Sequence, residues 1–254
     1  MSFAVSALAY HRFMGRFSEP LAGQFADWLR PAPGQRALDV GCGPGALTAS
    51  LVAELGTAQV SALDPSQSFV AAARERLPGV DVRCGVAEAL PWPGGTFDLT
   101  AAQLAVHLMA DPPAGVAEMA RVTRPGGTVA ATVWDFAGGT APTSVFWQAA
   151  REVDPASPDE TDRPGGGEGQ LAGLLRQAGL REVESDVLSV QLGFSSFDAW
   201  WKPFTLGVGP PGDYLAGLGD EQRAALRAAC ARLLPAAPFT LAVRSWAARG
   251  RPPG

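Results

Sequence analysis

Two aspartates flank a glycine turn, and their spacing sets out the chemistry open to this chain. In the stretch Ala37-Leu38-Asp39-Val40-Gly41-Cys42-Gly43-Pro44-Gly45-Ala46, an apolar run ends in three closely spaced glycines and feeds a helical pattern. Such a turn brings bare backbone N–H groups up to a ligand. Residues Gly41 to Ala46 satisfy the dinucleotide-binding fingerprint with alanine in its third place. Asp39 changes what the turn can hold. A carboxylate two residues before the first glycine would repel a pyrophosphate at short range, and it suits an ammonium or a sulfonium. Asp64 lies 19 residues after Gly45, where an acidic side chain can accept hydrogen bonds from ribose hydroxyls. Ser66 is available to cap the helix that follows, which leaves Asp64 free for the ribose. The pair points to a positively charged amino-acid nucleoside rather than to NAD. The loop Gly85 to Pro91 would pass over the adenine. His107 is the candidate general base, one of only two histidines; its ordinary pKa near 6.5 suits proton abstraction at neutral pH. His11 is the second candidate.

These residues need a frame that brings them to one edge. The pattern predicts strands over Arg36 to Val40, Gln59 to Leu63, Val80 to Arg83, Phe97 to Ala102 and Thr128 to Trp134. Helices are predicted over Ala46 to Leu55, Gln67 to Leu77 and Pro113 to Val122, with Arg124-Pro125-Gly126-Gly127 as a turn. Strands alternating with crossover helices imply a parallel, doubly wound sheet that binds ligands beyond its carboxyl ends. The glycine turn, Asp64 and Gln103 all fall at such ends. Ahead of the sheet, Ser2 to Ser18 reads as an aromatic, basic helix or cap broken at Pro20, and Leu21 to Leu29 as an amphipathic helix.

The second half is less regular. It shows helices over Thr143 to Val153 and Leu171 to Ala178, a mobile loop from Asp154 to Gly169, and strands over Glu182 to Gln191 and Phe239 to Trp246. Between those strands lie an aromatic segment with Phe197, Trp200, Trp201 and Phe204, a Gly/Pro turn from Gly207 to Gly212, and a helix capped by Asp220 that runs through Leu234. The aromatic segment reads as core packing or as a lid over an acceptor pocket, which Trp134, Phe136, Phe146 and Trp147 could also face. The tail Gly250 to Gly254 reads as loose.

Composition narrows the partners. Hydrophobic residues make up 47% of the 254, enough for a substantial core, and the net charge is −5. With Lys202 as the only lysine and no basic cluster, a nucleic-acid partner is not expected. Cys42, Cys84 and Cys230 are far apart and follow no metal-binding spacing, which suits reduced thiols and no metal. No secretory leader or membrane span is expected, so the location read from the sequence is cytoplasmic.

The motifs resemble those of the class I S-adenosylmethionine-dependent methyltransferases, in the small-molecule, type 11-like branch. The resemblance rests on Leu38 to Gly45, Ser61-Ala62-Leu63-Asp64-Pro65-Ser66, the Ala87 to Pro91 segment before Phe97-Asp98, and Arg124-Pro125-Gly126-Gly127-Thr128, in the family's order and spacing. It covers Gln35 to Trp134. Tyr10 to Phe17 is similar to the N-terminal segment of a bacterial subgroup. The resemblance implies a mostly parallel, seven-stranded, Rossmann-like α/β sheet with helical cap insertions, in one domain over 1–254. Its core would be about 21–135, 170–192 and 239–248, its cap 1–20, 136–169 and 193–238. It implies S-adenosyl-L-methionine as cofactor. Asp39 and the Gly41 backbone would hold the methionyl ammonium, Gly43 would allow close approach, and Gln103 would lie along the methionine moiety. Asp64 would bind the ribose, Pro65 would pack on the adenine, and the Ala87 backbone would meet its edge. Tyr10 and Arg16 would reach the carboxylate. Relatives often carry Asp where this chain has Val86, so Glu88, a backbone carbonyl or packing alone would serve the adenine amino group. The implied partner is a small, lipophilic or aromatic methyl acceptor, and the chain would be a monomer or homodimer. A member that binds the cofactor without methyl transfer, and an NAD(P)-dependent oxidoreductase, are the alternatives.

Overall fold

A computed structural model describes residues 7–254; of the N-terminal segment read above, residues 2–6 lie outside the described residues. One seven-stranded sheet organises them, in the order β3-β2-β1-β4-β5-β7-β6. Its strands are β1 (Ala37–Val40), β2 (Val60–Asp64), β3 (Asp81–Cys84), β4 (Phe97–Gln103), β5 (Thr123–Trp134), β6 (Arg181–Phe194) and β7 (Phe239–Arg251). The first five pair in parallel, and β7 runs antiparallel to both β5 and β6. The expected mostly parallel α/β sheet is therefore the one observed. Strand β1 is buried at every position and lies centrally between β2 and β4, so it reads as a continuous apolar run interrupted by Asp39.

The crossover helices are α3 (Ala46–Leu55), α4 (Gln67–Arg76) and α5 (Pro112–Val122). Asp111 caps α5 by accepting the Ala114 N–H, and the prolines that follow need no donor there. Strand β5 absorbs the expected turn at Arg124 to Gly127, where its pairing with β4 jumps from Phe97–Thr123 to Leu99–Thr128.

The N-terminal segment is α1 (Ala7–Tyr10), a π-helical turn His11–Gly15, and α2 (Arg16–Leu29). Pro20 sits inside α2 and does not break it. It deprives the Arg16 carbonyl of its helical donor, but Phe17, Leu21, Ala22, Phe25 and Leu29 bury one face of the helix and hold it in place.

The cap is built from α6 (Ser144–Val153), α7 (Gln170–Gln177), α8 (Phe197–Trp201), a 3-10 turn Lys202–Leu206, α9 (Gly209–Gly217) and α10 (Asp220–Leu233). The Gly/Pro turn expected at Gly207 to Gly212 is instead the start of α9, because a proline in a helix's first turn loses no hydrogen bond. Gly219, not Asp220, is the N-cap of α10; its N–H donates to Gln222 Oε1 at 3.3 Å, and Asp220 supplies negative charge in the first turn. The aromatic segment is core. Phe146 stacks on Phe204 at 4.9 Å, Trp200 meets Phe204 at 4.7 Å, and Phe13 from the N-terminal segment closes on Phe204 at 5.0 Å.

Two segments expected to be loose are held. The tail runs on as β7 to Arg251, and the Pro252 carbonyl accepts the Gly126 N–H. In the 154–169 loop, the Glu160 carboxylate is 9% exposed, and Oε2 accepts Trp147 Nε1 at 2.7 Å and Thr143 Oγ1 at 2.8 Å. Glu160→Ala would leave two buried donors unpaired. It should lower stability by about 2 kcal/mol in urea unfolding, with ligand binding elsewhere unchanged. Among the described residues, no helix is long and apolar enough to cross a membrane.

Candidate active site

The carboxyl ends of β1, β2 and β4 open onto a cleft of about 1030 Å3, part of it open to solvent. Its position follows from the topology: β1 and β4 are neighbours joined through crossovers that wind to opposite sides, so a crevice forms between their ends. Tyr10, Asp39, Gly41, Gly43, Asp64, Pro65, Ala87, Glu88 and Gln103 all line it.

The turn from β1 to α3 is held from β2. The N–H groups of Gly41 and Cys42 both donate to the Leu63 carbonyl, at 2.8 and 3.0 Å. Gly41, Gly43 and Gly45 all have positive φ, which favours glycine. A Cβ on Gly41 would collide with the Ala105 side chain, so the turn and the β4 end touch directly here. Because the Gly41 N–H is committed to Leu63, an ammonium would meet its carbonyl.

Asp39 is 1% exposed. Its Oδ2 accepts Thr48 Oγ1 from the first turn of α3 at 2.6 Å, and its Oδ1 is buried with no hydrogen-bond partner. Burial lifts its pKa from 3.8 to about 7, and the negative charge of Asp64 adds to the rise, while the Thr48 bond opposes it. Gln103 repeats the pattern: Nε2 donates to the Ser18 carbonyl at 2.9 Å, and Oε1 is buried without a donor. Two acceptors in one cleft thus lack donors among the described residues. Such groups are costly unless something supplies an N–H.

Asp64 is not free, as the sequence suggested. Its Oδ2 accepts the Gly43 N–H at 2.9 Å and its Oδ1 the Ser66 N–H at 2.8 Å. The Ser66 side chain makes no cap and pairs with Ser68 instead. Asp64 therefore ties the glycine turn to the start of α4. Each oxygen keeps a second lone pair for a hydroxyl. Burial raises its pKa, against the pull of the two backbone bonds.

At the other end, Val86 is exposed on the cleft wall. Glu88 Oε1 accepts the Asp111 N–H at 3.1 Å, leaving its other oxygen uncommitted by that bond. Tyr10 packs its ring on Phe69 at 5.2 Å, and burial with the nearby Asp64 charge pushes its hydroxyl to about 12.

Two expected residues are placed elsewhere. Arg16 does not line the cleft. Its guanidinium lies over the Phe194 ring and donates to the Ala199 carbonyl at 3.1 Å, toward the cap, because position 16 faces away from Tyr10 and Ser18 on the helical segment. His107 does not line the cleft either. Its ring packs edge-on against Phe136 at 5.2 Å, with Nδ1 buried and unpartnered. Burial, and then the charge of Arg163, lower its pKa to about 3. A group so weakly basic has little affinity for a substrate proton, and it stands off the cleft, so the general-base role is not carried forward. His107→Ala should leave the pH dependence of any turnover unchanged between about pH 6 and 9, the span around an ordinary imidazole pKa. Loss of an acid limb there, the fall in rate as pH drops, would restore the base. His11 stands outside the cleft, 4.0 Å from Glu19. The aromatic cap residues are likewise absent from the cleft wall.

Residues 38–131 match the family model of the methyltransferase domain. An uncharacterised methyltransferase of Mycobacterium bovis is 38% identical over 135 residues, covering 53% of this chain and 52% of that protein. Residues 38–131 therefore carry a methyltransferase domain. Its matched part spans about half the length of that first relative. The nocamycin O-methyltransferase of Saccharothrix syringae is 32% identical over 191 residues, 66% of each chain. The crystal structure of a putative methyltransferase from Bacillus halodurans superposes with a TM-score of 0.60 at 17% identity, covering 92% of this chain and 99% of that one, a likeness of fold.

Around this domain's cleft the sequence reading missed Ser18, Leu104, Ala105, Leu108 and Met109, which also line it. Ser18 contributes through its carbonyl, which any residue type would supply. Leu104 and Ala105 follow Gln103 directly, but strand alternation would have turned one of them away.

Proposed function

We propose that this chain binds S-adenosylmethionine in the cleft and transfers its methyl group to a small, apolar or aromatic acceptor. The observation that carries the reading is the pair of donorless buried acceptors, Asp39 Oδ1 and Gln103 Oε1, beside the glycine turn. A methionyl ammonium brings N–H donors and a positive charge, and it meets both needs. A pyrophosphate brings neither, which argues against NAD. Asp39, Gln103 and the Gly41 carbonyl would hold the amino-acid end, Asp64 the ribose hydroxyls, and Pro65, Ala87 and Glu88 the adenine. When bound, the cofactor supplies an electrophilic methyl group on its sulfonium.

What the chain adds is orientation and the exclusion of water. Every carboxylate of the cleft already accepts a hydrogen bond from the chain, and no histidine reaches it. Alignment of the two reactants is then the main source of acceleration. The reading favours acceptors that ionise by themselves, such as phenols or enols, over aliphatic alcohols. The O-methyl transfer named for the Saccharothrix relative is consistent with an oxygen acceptor. Leu104, Ala105, Leu108 and Met109 give the wall an apolar character that suits such a body. We read the acceptor as the partner, with no nucleic acid or membrane, a cytoplasmic location, and a monomeric or homodimeric state.

The test is incubation with methyl-labelled S-adenosylmethionine and a panel of phenols, enols, amines and aliphatic alcohols. Label transfer with matching formation of S-adenosylhomocysteine, strongest for phenols or enols, is the expected result. Cofactor binding with no transfer to any member would remove the methyl-transfer reading.

A further inference from the structure

We infer that Leu104 is the specificity-determining residue of the acceptor site, a role that rests on the proposed methyl transfer. Leu104 has a φ of +57°, a conformation that a leucine rarely adopts and that costs energy. Its place in the chain shows what the strain achieves. Gln103 ends β4, and in regular strand geometry Gln103 and Ala105 would share one face while Leu104 pointed to the other. Here Gln103, Leu104 and Ala105 all line the cleft. The left-handed residue breaks the alternation and brings three successive residues to one space.

The backbone at this point is held from both sides. The Leu104 N–H donates to the Thr132 carbonyl at the end of β5, at 2.8 Å. Ala105 abuts Gly41, so the chain cannot relax toward the glycine turn. Leu104 is 7% exposed, and it stands one residue from Gln103, whose Oε1 awaits a donor. Leu104 thus borders the methionyl end of the cleft, where the reacting methyl would lie. Leu108, exposed on the same wall, extends the apolar surface outward. This arrangement fits a planar apolar body whose ring rests on Leu104 and Leu108 with its oxygen directed to the methyl group. Leu104 then supplies the apolar surface that selects a ring next to that oxygen.

Leu104→Gly tests this, because glycine keeps the left-handed backbone at no steric cost and removes only the side chain. The probe is 2-naphthol, titrated calorimetrically into the full chain saturated with S-adenosylhomocysteine. Wild type should bind it, and Leu104→Gly should weaken it at least fivefold while S-adenosylhomocysteine affinity stays within threefold. Leu104→Asn, also compatible with positive φ, should behave the same way and serves if the glycine variant lacks stability. Equal naphthol affinity in wild type and variants, or none in the loaded wild type, overturns the role of Leu104 and leaves cofactor binding intact. Failure of wild type to bind S-adenosylhomocysteine overturns the proposed function itself, and this role with it.

Discussion

Asp39→Asn should weaken S-adenosylmethionine binding by thirty- to a hundredfold and, without cofactor, make the protein more stable at pH 8. The two effects have one cause. Asp39 sits 1% exposed with a single hydrogen bond, and burial holds its pKa near 7 instead of 3.8. A folded-state pKa above the unfolded one means that the folded protein binds this proton more tightly. Below the ordinary carboxylate range the group has no effect on stability. As pH rises through 3.8 toward 7 its ionisation is deferred, and the free protein loses stability relative to a neutral residue. The loss is complete above 7 and amounts to about 4 kcal/mol at most. Asparagine keeps the shape, still accepts from Thr48, and avoids that cost, so its melting temperature should rise by several degrees at pH 8. The cofactor ammonium needs the ionised form, and a charge-assisted hydrogen bond contributes about 1.5 to 3 kcal/mol. Wild-type affinity should therefore strengthen as pH rises through 7 and level off above it. The variant should show a weaker affinity and a flatter pH profile. Calorimetric titrations from pH 5.5 to 8.5, with thermal melts over the same range, measure both.

Asp64→Ala should weaken the cofactor by about a hundredfold and also loosen the site before any ligand arrives. The carboxylate accepts the Gly43 and Ser66 N–H groups while facing the place for the ribose. Removing it leaves two backbone donors without partners at the mouth of the glycine turn and takes away the acceptor for the hydroxyls. Two charge-assisted bonds to the ligand correspond to about 3 kcal/mol, hence the hundredfold. The structural share should appear as a loss of about 1 to 2 kcal/mol in urea unfolding. Asp64→Asn separates the two. Its amide oxygen can replace one backbone cap and its NH2 cannot replace the other, so it should recover part of the stability and little of the affinity. Unchanged affinity in Asp64→Ala would remove the ribose assignment.

The parts of this molecule that were legible in its sequence are those determined locally. The β1–turn–α3 unit is written in a short apolar run, three glycines and a leucine stripe, and its ligand preference in the charge of Asp39. The alternation of strands and helices to Trp134 follows from period alone. What escaped depends on groups distant in the chain. Whether Asp64 is free turns on the Gly43 N–H, 21 residues away. Arg16 and His107 have the right chemistry, and only packing on Phe194 and Phe136 shows that both are turned from the cleft. The helical spacing of Trp200 and Phe204 marked a buried face without saying what covers it, and Phe146 and Phe13 turned out to be the cover. Gly209-Pro210-Pro211 looks like a break, yet in a helix's first turn a missing N–H is easily borne, whereas Pro20 does cost α2 a bond and the helix is held by its buried face. The loop held by Glu160 has the composition of a mobile segment, and two distant donors fix it. Leu104 breaks strand alternation in a way no residue type announces.

The most direct test of the account is a calorimetric comparison of three ligands on the full chain at pH 8: S-adenosylmethionine, S-adenosylhomocysteine and NAD. The two sulfur nucleosides should each bind at one site, and both should lose affinity in Asp39→Asn, while NAD gives no heat of binding. Binding of NAD with no response to either sulfur nucleoside would contradict the account at its centre.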